Sequence, residues 1–205
     1  SYFLSFTFYL LFSTYGPLFL QPAEEIGEVP VGPWRGARAR PVDHAGSQQK
    51  EGHADLLRRA SIMEETGLID VEARYPGVDT AALTADLQKE GKAVIASAHD
   101  FSRTPSEEER NELLERLLAT GADVLKLAVM PLSAQDVTDL LSWTEKKTRE
   151  LDRPLITMSM GDLGKISRVS GKLTGSALTF GTVSGASAPG QIPVGQLRAI
   201  LAQLV

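Results

Sequence analysis

From residue 68 onward the sequence alternates short apolar runs with longer amphipathic runs, and this alternation restricts the fold more than any other feature. The predicted strands cover residues 68–72, 92–97, 122–130, 154–158 and 177–180. Helices are predicted over residues 53–65, 78–90, 104–120, 133–150 and 193–205, with a short helix inside the polar stretch 161–175. Strands that alternate with helices form a parallel sheet with helical crossovers. Either an open doubly wound sheet or a (β/α)₈ barrel fits this order.

Local signals set the ends of these helices. Thr104, Pro105 and Glu107 predict a capping box with proline at the first helical position. Gly121 is predicted to end that helix, and Ser133 to cap the next one. No phosphate-binding glycine fingerprint follows any predicted strand. In either fold the chemistry is expected where the strands end, which is where His99, Arg168 and the loop 181–191 fall.

Lys126 is the residue with the strongest chemical implication. It lies in the apolar run 122–130, which is typical of a strand buried on both faces. Burying an ammonium is costly, so such a lysine usually has a partner or a lowered pKa. A neutral lysine can attack a ketone and form a Schiff base. The alternative is an edge-strand lysine whose amine reaches water.

Composition excludes several other classes of function. The 205 residues are 42% hydrophobic and 23% charged, which suits one globular domain. A net charge of −5 gives no reason to expect nucleic acid as a partner. There is no cysteine, and the three histidines are far apart, so no metal or other cofactor is expected. The first 20 residues are uncharged, but no basic residue flanks them before Arg35, so no membrane anchor is expected.

Two further features lie near Lys126 in the predicted sheet. His99 ends the adjacent strand, and neighbouring strands are about 4.8 Å apart, so its imidazole can act on the same substrate. A histidine that only caps the strand end is the alternative. Asp70 and Glu72 lie two residues apart on one face of the first regular strand. These carboxylates are expected to position hydroxyls or basic groups inside the barrel.

Six blocks of the sequence, in order and in register, resemble the type I 3-dehydroquinate dehydratases. They are HDF (99–101), KLAVMP (126–131), ITMSM (156–160), ISR (166–168), GSALTFG (175–181) and ASAPGQ (186–191). The resemblance covers residues 57–205. It implies a class I aldolase-like (β/α)₈ TIM barrel that dehydrates 3-dehydroquinate to 3-dehydroshikimate in the shikimate pathway, without metal or nucleotide. The resemblance also implies a small-molecule substrate, a cytoplasmic location and a homodimer as one form of assembly.

The resemblance also implies a role for each matched residue. Lys126 forms the imine, and His99 removes the C2 proton and then protonates the departing C1 hydroxyl. Arg168 pairs with the substrate carboxylate, with Asp70 and Glu72 in support. The remaining substrate-binding residues are Ser187, Ala188, Gln191, Met158, Met160 and Phe180.

The N-terminal part of the sequence departs from the family pattern. Residues 1–40 do not match, so residues 41–205 are expected to form a partial barrel whose first strands are missing or altered. The family's earlier site motifs, including a glutamate that orients the catalytic histidine, are absent. A truncated or frame-shifted start and a genuine variant are both open. The alternative functions are an inactive or ligand-binding remnant of this enzyme and another Schiff-base enzyme of the aldolase type.

Overall fold

The regular elements follow the alternation in the sequence. The computed structural model describes residues 10–13 (backbone only), 57, 67–74, 76–182 and 190–204. The strands are β1 (Leu10–Ser13), β2 (Leu68–Glu72), β3 (Ala93–Asp100), β4 (Val124–Val129), β5 (Leu155–Ser159), β6 (Leu178–Thr182) and β7 (Ile192–Pro193). The α-helices are α1 (Thr80–Lys89), α2 (Glu107–Ala119), α3 (Ala134–Glu150), α4 (Gly171–Thr174) and α5 (Val194–Gln203), and a 3₁₀ helix covers Leu163–Arg168.

Four parallel strands form the central sheet. Their order is β2-β3-β4-β5, and helices α1, α2 and α3 make the crossovers between them. The backbone N–H of Ala177 donates to the carbonyl of Leu155 at 2.9 Å, which brings the start of β6 alongside β5. These are parallel β/α units of the kind that build a TIM barrel, so the predicted class of fold is confirmed.

Strand β1 departs from the parallel pairing of the other strands. It pairs antiparallel with one edge of β6, with Leu10 opposite Gly181, whereas β7 pairs parallel with the other edge, with Ile192 opposite Gly181. In a regular (β/α)₈ barrel all strands are parallel. The predicted domain boundary near residue 40 and most of the predicted helix 53–65 lie outside the described residues.

The two faces of the sheet bury two different cores. The outer face packs under the helices through residues such as Val94, Leu125 and Leu127. The inner face holds a smaller apolar cluster that includes Ile156, Met158 and Phe180, together with Ile95, Ala128 and Ala177. Side chains alternate between faces along a strand. Lys126 lies between Leu125 and Leu127, whose side chains are buried under the helices on the outer face. The same alternation therefore directs the Lys126 amine to the inner face.

The helix ends agree with the sequence except at α2. Ser133 caps α3, and Gly121 follows α2 with φ of 75°. The predicted cap at Thr104 is wrong, because Ser106 caps α2 and exchanges hydrogen bonds with Glu109. The hydroxyl of Thr104 instead donates to the carbonyl of Met130, at 3.1 Å, which ties the start of this loop to the end of β4. No helix in the described part of the chain is long and apolar enough to cross a bilayer.

Candidate active site

The amine of Lys126 lies inside the sheet and has an anionic partner. Strand β4 lies between β3 and β5, so the edge-strand alternative is wrong. The Lys126 residue is only 7% exposed. Its Nζ donates to Oδ2 of Asp70 at 2.6 Å and lies 4.8 Å from the centre of the Phe180 ring. Of the two outcomes expected for a buried lysine, the structure shows the partner.

Asp70 is held as a carboxylate by this contact. Desolvation by itself raises its pKa, but the charge and hydrogen bond of Lys126 outweigh that effect, with smaller contributions from Ser97 and His99. The net result is that the pKa of Asp70 lies below its ordinary value. About 36% of the Asp70 side chain is still accessible, so water shares in screening the pair.

His99 is fixed by a second carboxylate from the same strand. Its Nδ1 lies 2.5 Å from Oε2 of Glu72, and both side chains are about one quarter exposed (24% and 26%). The other oxygen of Glu72 accepts the backbone N–H of Arg74 at 3.0 Å. The Arg74 guanidinium donates to the carbonyl of His99. A carboxylate only accepts, so the proton of a neutral imidazole lies on Nδ1 and leaves Nε2 as the base.

The strand register brings the two pairs together. Lys126 is opposite Ser97, and Ser97 is opposite Glu72, while His99 is opposite Ala128. His99 is therefore one strand across and two residues along from Lys126, a Cα separation of roughly 8 Å on standard strand spacings. Strand β2 thus supplies one carboxylate to the amine and another to the imidazole. The side chains of Lys126 and His99 both point to the inner face, so the amine and the imidazole lie on the same side of the sheet.

Buried side chains close the inner face around the amine. Met158, Met160 and Phe180 are between 2% and 7% exposed. Arg168 is 2% exposed and its Nη1 lies 3.7 Å from the sulfur of Met158. The 3₁₀ helix that follows β5 ends at Arg168 and packs against β5. Met158 and Phe180 belong to the apolar cluster of the inner face, so they and Arg168, which contacts Met158, lie on the same side of the sheet as Lys126.

The loop after β6 reaches the site through a close backbone contact. A Cβ on Gly190 would lie 2.1 Å from the carbonyl oxygen of Gly161, and Gly190 has φ of 73°, so only glycine fits there. This contact seats Gln191, which is 9% exposed, next to the end of β5. Ser187 and Ala188 lie outside the described residues.

Sequence reasoning missed two neighbours of the imidazole. The Phe101 ring stacks on His99, with centres 5.8 Å apart and planes within 10°, although Phe101 is 47% exposed. Arg74 donates to both His99 and Glu72, as described above. The only sequence signal was the two-residue spacing along each strand, which puts the side chains of Phe101 and His99 on one face, and those of Arg74 and Glu72 likewise. That signal was too general to identify a partner.

The described residues contain no group of three or more His, Cys, Asp or Glu side chains that could hold a metal ion. The chemistry that these side chains can perform is that of an amine nucleophile beside a proton-transferring imidazole. Carbonyl compounds are the substrates that such an amine attacks.

Comparison with known proteins points to one family of enzymes. A family model described as type I 3-dehydroquinase matches residues 38–204. The 3-dehydroquinate dehydratase of Klebsiella pneumoniae subsp. pneumoniae is 46% identical over 152 residues, covering 74% of this chain and 61% of that protein. The enzyme of the same name from Listeria welshimeri is 47% identical over 134 residues, covering 65% and 53%.

Solved structures agree with the sequence comparison. The 3-dehydroquinate dehydratase of Geobacillus kaustophilus superposes with a TM-score of 0.69 at 37% identity, covering 80% of this chain and 62% of that chain. The type I enzyme of Clostridium difficile gives 0.70 at 39% identity, covering 79% and 63%. Parallel β/α units with a lysine buried on the inner face define the class of fold and site. The chain belongs to the type I 3-dehydroquinase family, and it spans less than two thirds of the length of each of these relatives.

Proposed function

We propose that this chain dehydrates 3-dehydroquinate to 3-dehydroshikimate through an imine on Lys126. The observation that carries the proposal is the buried Lys126 amine, paired with Asp70 and lying beside an imidazole that Glu72 holds. Relatives with about 46% identity have the name 3-dehydroquinate dehydratase. The Clostridium difficile relative was solved with covalent modified comenic acid.

The first step joins amine and substrate. The neutral amine of Lys126 attacks the C3 ketone to give a neutral carbinolamine. Protonation of the carbinolamine hydroxyl and loss of one water then leave a protonated imine. This cation withdraws electrons from the neighbouring carbon and makes the C2 proton more acidic.

The proton steps belong to His99. Its Nε2 takes the C2 proton, and the electrons of that bond form an enamine with the imine carbon. The imidazolium then returns a proton to the C1 hydroxyl, which leaves as water while the C1–C2 double bond forms. Hydrolysis of the product imine releases 3-dehydroshikimate and restores the amine.

The remaining site residues bind and orient the substrate. Arg168 pairs with the substrate carboxylate, for which a planar two-pronged donor has the matching shape. Met158, Met160 and Phe180 form the apolar wall, and Ser187, Ala188 and Gln191 contribute polar and small groups from the loop after β6. A cytoplasmic location and a homodimer remain predictions that accompany this function.

Borohydride reduction tests the imine. The protein is incubated with 3-dehydroquinate and borohydride, and peptide mass spectrometry locates the reduced adduct. We expect the adduct on Lys126 and none in Lys126→Ala. The matched control is Lys146→Ala, because Lys146 is an exposed lysine of α3 (53% accessible). Turnover is followed in parallel by the absorbance of the conjugated product.

The outcomes separate the alternatives. An adduct with turnover supports the proposal, whereas an adduct without turnover indicates a damaged enzyme. Absence of an adduct favours a ligand-binding relative. An adduct with other ketones, but not with 3-dehydroquinate, favours an aldolase-type enzyme.

A further inference from the structure

We propose that Asp70 is a catalytic residue: it accepts the proton that the Lys126 ammonium must lose before attack, and it returns that proton as water leaves the carbinolamine. The inference rests on the proposed imine chemistry and adds a proton carrier that is separate from the imidazole. The notable feature is that a lysine expected to act as a nucleophile is held as an ion pair.

The ion pair creates a chemical requirement. An ammonium has no lone pair, so one proton must leave Nζ before it can attack a carbonyl. Within the described residues, the carboxylate of Asp70, at 2.6 Å, is the only titratable group that shares a hydrogen bond with Nζ. The nearby Phe180 ring stabilises the cation but takes no proton. Asp70 is thus the acceptor already in place.

The imidazole is committed to another task. Nδ1 of His99 is bound to Glu72, and Glu72 also accepts the Arg74 N–H, so both oxygens of that carboxylate are engaged. Glu72 is thus engaged by His99 and Arg74, whereas the carboxylate that Nζ of Lys126 binds is that of Asp70. The two carboxylates of β2 divide the work, with Asp70 beside the nucleophile and Glu72 behind the base.

The register leaves space for the substrate. Lys126 is level with Ser97 and Glu72, and Asp70 lies two residues earlier on β2, toward the N-terminal ends of the strands. Substrates of parallel β/α folds approach from the C-terminal ends. Asp70, the proton acceptor, and the ketone of the substrate thus lie on opposite sides of the amine.

The proton balance closes without any other reactant. Asp70 takes one proton from the ammonium, giving a neutral amine and a carboxylic acid. The amine attacks the carbonyl carbon, and a proton moves from nitrogen to oxygen to give a neutral carbinolamine. The acid then protonates the hydroxyl, the C–O bond breaks, and water departs. The carboxylate that remains faces the positively charged imine as it faced the ammonium.

Rapid-quench trapping of the full chain tests this role. Protein and 3-dehydroquinate are mixed, quenched into borohydride after set times, and the fraction of modified protein is read by intact mass. We expect Asp70→Asn to slow adduct formation by about 10²–10⁴, the usual contribution of a positioned acid or base. Glu72→Gln is the matched change on the same strand, and we expect it to slow turnover but not adduct formation.

A second variant separates proton transfer from loss of the ion pair. Asp70→Ala leaves space for a small acid, and we expect added formate to restore adduct formation in proportion to its concentration. Formate should have no such effect on Glu72→Ala. A role limited to ion pairing predicts a lower melting temperature in Asp70→Asn with an unchanged rate of adduct formation.

Three results would overturn the assignment of Asp70. The first is a rate of adduct formation in Asp70→Asn equal to that of the wild type. The second is a folded Asp70→Ala protein whose adduct formation formate does not restore. The third is a slowing of adduct formation in Glu72→Gln as large as that in Asp70→Asn. Failure of the wild-type chain to form any adduct would instead refute the proposed function itself.

Discussion

Replacing Glu72 by glutamine removes the negative charge behind His99 and keeps the side-chain shape. The imidazole becomes positively charged when it takes the C2 proton, so the carboxylate stabilises that state. A hydrogen bond to a charged group contributes about 1.5–3 kcal/mol, which corresponds to roughly 10- to 150-fold in rate. About one quarter of each side chain is exposed (26% and 24%), so solvent screening favours the lower part of this range.

Steady-state turnover of 3-dehydroquinate measures the effect of Glu72→Gln. We expect kcat to fall and the isotope effect of C2-deuterated substrate to rise, because proton removal becomes slower. In a double-mutant cycle, Glu72→Gln added to His99→Ala should cause no further loss, since the glutamate acts only through the histidine. An unchanged kcat, or full additivity of the two changes, would refute the reasoning.

Two further predictions concern other parts of the chain. Gly190→Ala should lower kcat/KM for 3-dehydroquinate, because Gly190 has a positive φ and a Cβ there would lie 2.1 Å from the Gly161 carbonyl oxygen. The control is Gly195→Ala, which has open space in a helix and should raise the free energy of unfolding by about 0.5–1 kcal/mol. Equal activity in the two variants would contradict this prediction. Glu109 has its pKa lowered to about 2, first by its hydrogen bond with Arg103, so its stabilising effect is present above about pH 4.5 and is lost as the pH falls toward 2. As the pH falls between these values, the melting temperature should therefore decline less steeply in Glu109→Gln than in the wild type. Parallel declines in the two proteins would show that the Glu109–Arg103 pair does not stabilise the fold.

Prediction from sequence succeeded where one local pattern was enough. The apolar run around Lys126 specified a strand buried on both faces, and β4 is such a strand. Ser133 was recognised as a cap, and the structure shows that its partner Asp136 is only three residues away. Thr104 was misassigned as a cap because it met the same local pattern, while its hydroxyl binds Met130, a residue that is distant in sequence.

The partners of the site residues could not be read in this way. The sequence showed that Asp70 and Glu72 are neighbours on one face of a strand, but it did not show which basic group each carboxylate would bind. Lys126 is 56 residues from Asp70, and His99 is 27 residues from Glu72. Parallel strands joined by helical crossovers can shift in register without any change in their apolar pattern, so the pairing depends on how the helices pack on the sheet.

The sequence by itself determined that β/α units form, that a lysine lies within a buried strand, and that a histidine ends the adjacent strand. These features follow from alternation and burial, which act over a few residues. Only the tertiary structure decided that Asp70 holds the amine, that Glu72 holds the imidazole, and that Gly190 contacts the loop after β5. Each of these contacts joins segments far apart in the chain, and their geometry is set by strand register and helix packing together.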